Sequence, residues 1–192
     1  MDALAIHADQ FVHIRIIVGM LLGLSLSRLV TGLARSVQTP AALKVYPIHV
    51  VWIIYLLLSI VDFWWFEFGL LKVKAWTFGL YLFVLFYTSI YVFLVSILFP
   101  DRNHGFASYE RYFQDRRRAF YWMLVLLAAL DVVDSSIKGS DYLAALGVEY
   151  FVLQAVKGAG ALAAVFVRSK RYQLAYAGVA LACEIFWLIR LF

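Results

Sequence analysis

The sequence predicts an all-α membrane protein, a polytopic bundle of about six transmembrane helices, and three observations carry that expectation. Of its 192 residues 65% are hydrophobic and only 15% charged, against roughly 25% charged in soluble domains. The apolar residues fall into six runs of about 20 residues, the length that crosses a bilayer. Lysine and arginine are shared unequally between alternate loops, as expected of a spanning chain whose basic loops stay on the cytoplasmic side. With a mean hydropathy of +0.85, a soluble fold of this length could not hide the apolar surface. Residues 1–192 are expected to form a single transmembrane domain, with helices near 12–34, 47–68, 75–99, 118–136, 146–167 and 172–191.

The segment before the first helix carries Asp2 and Asp9 and no lysine or arginine. That is opposite to the n-region of a signal peptide, so the first apolar run is expected to remain as a helix. Along it Gly19, Gly23, Ser27 and Thr31 recur at a strict spacing of four. This makes a smooth packing face for another helix, within the subunit or between subunits. Arg28 lies about 100° around from that stripe and is expected to snorkel to the cytoplasmic surface. His7, Asp9 and His13 are the nearest approach to a metal-ligand cluster, but they follow no recognised pattern, and no metal site is expected. His49 and His104 stand alone.

The second helix ends in Phe63, Trp64, Trp65, Phe66, Glu67 and Phe68. Such rings with a carboxylate can cage a cationic ligand, but they also form the aromatic belt at the outer headgroups, which is the preferred reading. Asp62 sits just before them. The third helix, with Tyr81, Phe83, Phe86, Tyr87, Tyr91 and Phe93, carries no charge between Lys74 and Asp101 and reads as lipid-facing and packing surface.

In the third loop Tyr109, Tyr112, Phe113 and Phe120 recur at helical spacing among Glu110, Arg111, Asp115 and three arginines. The pattern predicts a short amphipathic helix on the cytoplasmic interface, turning into helix four. The uncharged run of helix four, Ala119 to Leu130, is too short to cross, so Asp131 to Ser136 must continue it and carry acidic residues into the membrane. Asp131 and Asp134 are three apart and share a face, which Lys138 continues one turn on.

Helix five places Lys157 about 15 Å from either end, near the bilayer midplane, where a lysine needs a partner or water. Gln154 lies one turn before it, and Gly158, Ala159, Gly160 and Ala161 leave room for a neighbour to approach. On helix six Glu184 lies about 20 Å along from Arg171. The lone cysteine, Cys183, excludes an intrachain disulfide and accompanies no thiol cluster.

Counted by loop, ten lysines and arginines follow helices one, three and five, against three on the opposite side. Those three loops are expected in the cytoplasm, with both termini on the outer side. The basic excess is thereby explained by topology and anionic lipid, and no nucleic-acid partner is expected. A midmembrane lysine also occurs in retinal proteins, but there it lies on the last of seven helices. The Phe-Ser-Asp signature of small six-helix cation channels is absent from helix one, so no family motif is matched.

These residues point to a transport protein of a bacterial inner (plasma) membrane, a cation or proton channel or a small ion-coupled transporter. Its site would be Lys157, Asp131, Asp134, Asp62, Glu184 and Gln154 around a polar cavity. A blander arrangement pairs Asp131 with Lys157 and leaves Asp134 and Glu67 at the outer surface. The alternative function is an accessory or scaffold subunit of a larger membrane complex. A lipid-modifying enzyme using the outer aspartates is a third class, without a nucleophile, metal motif or phosphate loop to support it. The expected partners are lipids, an ion or proton, and a second copy of the chain; no cofactor is implied.

Overall fold

The computed structural model of the chain describes residues 3–38, 46–73, 76–99 and 109–191. Arg102 and His104 of the third loop lie outside the described residues, as do the side chains of His7 and Asp9. All regular structure among the described residues is helical: α1 (Ala3–Gln38), α2 (Pro47–Phe66), a 3₁₀ turn (Glu67–Lys72), α3 (Phe78–Leu98), α4 (Tyr109–Ile137), α5 (Ser140–Phe166) and α6 (Lys170–Leu191). Six of these segments are long and apolar enough to cross a membrane. The chain is an integral membrane protein.

Local chemistry sets several boundaries. Pro47 opens α2, where its missing N–H and fixed φ cost nothing. The Thr77 hydroxyl accepts the Leu80 N–H at 3.2 Å and caps α3, satisfying a donor that has no helical partner. Lys138 and Gly139 alone join α4 to α5, and Gly139 takes φ +117° in that turn. The helix five expected to begin near residue 146 has a preceding segment from Ser140, and Gly147, at φ 77° and ψ 174°, breaks α5 between the two.

Helix four begins at Tyr109 rather than near residue 118, so the amphipathic stretch of the third loop is the first turns of α4 itself. Its rings turn inward: Tyr112, Phe113 and Phe120 are buried, and Phe113 meets Tyr46 and Tyr121 at ring-centroid distances of 6.1 and 6.2 Å. Burial against other rings satisfies them as well as a lipid interface would. As the short apolar run required, α4 continues through Asp131 and Asp134 to Ile137.

Neighbouring contacts run from α1 to α3, α4, α5, α6, α2 and back to α1, and α2 also reaches across to α3 and α4. That enclosure leaves Trp52, Ile53, Leu56 and Ile60 of α2 buried. Small residues let the helices close up. The ring of Phe99 occupies the place where a Cβ on Gly32 would stand, Tyr176 does the same at Gly160, and Gly158 faces Ala128. Large apolar side chains cover the outside, with Phe78 75% exposed, while the mainly apolar interior also holds charge, with Glu184 1% exposed. Such a distribution suits a lipid solvent, where charge is retained only toward the bundle interior.

The stripe on α1 faces away from the bundle. Gly23, Ser27 and Thr31 are exposed, and of the two glycines Gly19 lies against the Trp64 ring while Gly23 faces open space. The packing stripe of α1 within the subunit is Phe11, Ile14, Val18, Leu22, Ser25 and Leu29. Arg28 is exposed, and its guanidinium donates to the Ser96 hydroxyl of α3.

Candidate functional site

A polar cavity of about 50 Å³ lies between α2, α3, α4, α5 and α6. Asp62, Asp131, Asp134, Gln154, Lys157 and Glu184, scattered over 123 positions of sequence, all line it, together with Glu67 and Lys138. Helical periodicity accounts for the convergence on α4, where Asp131, Asp134, Ser135 and Lys138 fall on one face. On α5 Tyr150, Gln154 and Lys157 form a second stripe at spacings of four and three.

Asp131 is the acceptor of a hub. Its carboxylate takes hydrogen bonds from the Tyr87 hydroxyl of α3 at 2.8 Å and the Tyr150 hydroxyl of α5 at 2.6 Å, and from the Gln154 amide. Tyr150 is also within 3.0 Å of the Ser135 hydroxyl. Three donors from two helices stabilise a carboxylate that would otherwise be costly to bury.

At the end of the cavity nearest the α4–α5 turn, Lys138 bridges two carboxylates. Its ammonium is 3.0 Å from Glu67 and in contact with Asp134, and the three side chains are 2%, 1% and 3% exposed. Burial pushes the Lys138 ammonium down, but the facing Glu67 and Asp134 carboxylates outweigh that and hold it above the ordinary lysine value. Glu67 reaches this pair because α2 gives way to the 3₁₀ turn at that residue. Trp65 and Phe68 point outward while Phe63 and Glu67 point inward.

Near the middle of α5 Lys157 pairs with Glu184 of α6 at 3.4 Å. The Tyr176 hydroxyl donates to the Lys157 carbonyl at 2.7 Å, which ties this stretch of α5 to α6. Two expectations are therefore corrected. Lys157 pairs with Glu184 and not Asp131, whose oxygens are taken by tyrosines and an amide. Asp134 and Glu67 are buried under Lys138 rather than at a surface.

Asp62 differs from the other cavity carboxylates. It has no hydrogen bond or ion pair among the described residues, and its Oδ1 is buried. Glu67 Oε2, Asp134 Oδ1 and Gln154 Oε1 are also buried without a donor. Four bare acceptors around one space are unusual, since each costs about 1–3 kcal/mol if left dry. A cavity of this volume admits a few waters, which such acceptors would hold.

The opposite end is closed by rings. Tyr55 and Tyr176 line the cavity, and behind them Trp52 packs on Tyr55 at 5.3 Å, on Tyr176 at 5.6 Å and on Phe120 at 5.2 Å. Further along, the Arg117 guanidinium donates to the Ala164, Val165 and Val167 carbonyls at 3.0, 3.2 and 3.3 Å, completing the end of α5.

Sequence reasoning did not assign Tyr87 and Tyr150 to the site. The spacing of Tyr150 from Gln154 and Lys157 was an available signal; Tyr87 offered none beyond its hydroxyl. His13 is exposed, and among the described residues no three His, Cys, Asp or Glu are grouped to hold a metal ion. No protein-family model, curated protein or solved structure matches this chain.

Proposed function

We propose that the chain is an ion transport protein of a plasma (inner) membrane, a cation or proton channel or a small ion-coupled transporter, working through the cavity of α2 to α6. One observation carries this reading: five carboxylates and only two lysines line a single cavity. If all are ionised the lining bears an excess of three negative charges, and such a charge inside a bundle is stable only if cations or protons occupy it. The volume of about 50 Å³ favours an ion or proton over an organic solute, whose pockets are roughly 300–1,000 Å³.

The charge asymmetry of the loops supports an orientation with both termini outside. The Glu67–Lys138–Asp134 end of the cavity then faces outward and the Trp52 layer faces the cytoplasm. The first turns of α4, with Arg111, Arg116 and Arg118, would lie at the cytoplasmic interface. The exposed face of Gly23, Ser27 and Thr31 suits close approach by a helix of a second copy.

Ion flux from proteoliposomes tests the proposal. Vesicles holding the purified chain should release a cation or proton under an imposed potential, and Lys157→Met should alter the rate. Absence of flux for every ion tried, with Lys157→Met indistinguishable from the parent, would sink it and favour an accessory subunit.

A further inference from the structure

The cavity bears on which ion moves, an inference resting on the transport reading above. We propose that the species carried is the proton, and that Asp62 is the carboxylate that accepts it within the bundle and passes it through water toward the Lys157–Glu184 pair.

The arrangement of donors argues against a metal cation. A bound metal cation wants several oxygens converging on one point, commonly six or more for the hard divalent ions. Here the carboxylates are interleaved with ammonium groups: Lys138 sits against both Glu67 and Asp134, and Lys157 against Glu184. A metal cation entering that row meets two fixed positive charges. A proton needs only one free oxygen at a time, with hydroxyls and water to pass it on. The lining supplies these in Tyr55, Ser59, Tyr87, Tyr91 and Tyr150, with the Ser59 and Tyr91 hydroxyls 3.3 Å apart.

The choice of Asp62 follows by comparing the carboxylates. Glu67, Asp134 and Glu184 are ion-paired and Asp131 accepts three donors. A proton arriving on any of these must break an existing interaction, whereas Asp62 has none to break. The charges that act on it come from three helices: Glu184 on α6, Lys157 on α5, and Asp131 on α4 with Lys138 beyond its end. From α3, Tyr87 and Tyr91 complete the surroundings. Protonating Asp62 removes one charge from the crowded acidic lining and relieves its repulsion with Glu184. In the transfer one O–H bond forms at Asp62 as another breaks in the donating water, which takes up the incoming proton from the next water in the row and so stays neutral, and the reverse occurs on release. No electron moves, and the carboxylate is regenerated with each passage.

The test uses the full chain in proteoliposomes with a pH-sensitive dye inside, an imposed pH gradient and a permeant anion to carry compensating charge in place of any ionophore, with sodium and potassium fluxes followed in parallel. The expected result is proton flux that is indifferent to replacing sodium by potassium. Asp62→Asn should lower it on the order of a hundredfold, and Asp62→Glu should retain much of it. Sodium or potassium flux without proton flux overturns the proposal but leaves the transport reading intact; no flux of any ion removes both. Undiminished proton flux in a folded Asp62→Asn protein overturns the assignment of Asp62. Where Asp62→Asn fails to fold, infrared spectroscopy decides: the protonated-carboxyl band that appears on acidifying the native chain should shift in Asp62→Glu, and an unshifted band overturns the assignment.

Discussion

Lys157 and Glu184 are held together by their shared isolation from solvent. Removing one partner strands the other, which in buried pairs costs about 3–5 kcal/mol, whereas replacing both with apolar groups is close to neutral. Lys157→Met is therefore expected to lower the melting temperature sharply in detergent, and Lys157→Met with Glu184→Leu to restore most of it. A double variant no more stable than the single one would refute the pairing. Asp131 makes a second case, because its stability comes from donors rather than a counter-charge. Tyr87→Phe and Tyr150→Phe each leave a carboxylate oxygen short of one bond and are expected to cost about 1–3 kcal/mol, read from thermal denaturation. The sequence made Lys157, Asp131 and Asp134 conspicuous because charges in apolar runs are expensive enough to demand a reason. It could not assign their partners. Asp131 and Glu184 both sit on helices that touch α5, and only the depth and rotation of those helices decide which one meets Lys157.

At the level of elements, spacing told more about α4 than about α1. Asp131, Asp134 and Lys138 share a face whatever the neighbours are, because the helical period alone places them together. On α1 two stripes competed, the small residues from Gly19 to Thr31 and the bulkier line from Phe11 to Leu29. Lipid accepts either, so no polarity signal chose between them, and the structure turns the bulky line inward. Glu67 was hidden for a related reason: an aromatic run at a helix end reads as a belt, and the switch to a 3₁₀ turn that aims Glu67 at Lys138 leaves no mark in hydropathy. The break in α5 has a more direct consequence. Gly147 holds φ 77° and ψ 174°, a region where only glycine is comfortable, and its Cβ would stand 2.7 Å from Glu149 Oε2. Gly147→Ala is expected to cost about 1–3 kcal/mol and to disturb the Arg190 guanidinium, which donates to the Leu146 carbonyl at 3.3 Å. Chemical denaturation of the variant beside Gly158→Ala, whose added Cβ meets Ala128 at an ordinary 3.7 Å, separates a backbone effect from simple crowding.

Across the whole molecule, the polar cavity is flanked at its two ends by different chemistry. One end is an ionic cluster, Glu67, Lys138 and Asp134; the other is a layer of rings centred on Trp52. Under the proposed function this asymmetry matters, since an ionic cluster can hold water while a ring layer keeps it out. Trp52 is fully buried and touches Tyr55, Phe120, Tyr121 and Tyr176, so it fills the bundle where α2, α4 and α6 meet. Truncating it to alanine removes the largest side chain of that layer, and the expected stability cost is about 3–5 kcal/mol. The opened space lies directly behind two cavity-lining tyrosines, so it would extend the polar space past the ring layer and admit water. Trp52→Ala is accordingly expected to raise passive proton leak through reconstituted vesicles above that of the parent, while Trp52→Phe, which keeps a ring in place, stays near the parental rate. The two variants share the loss of the indole N–H but differ in the volume removed, so leak that tracks volume identifies the ring layer as the barrier. Equal leak from both, or none from either while the proteins remain folded, would place the barrier elsewhere in the bundle.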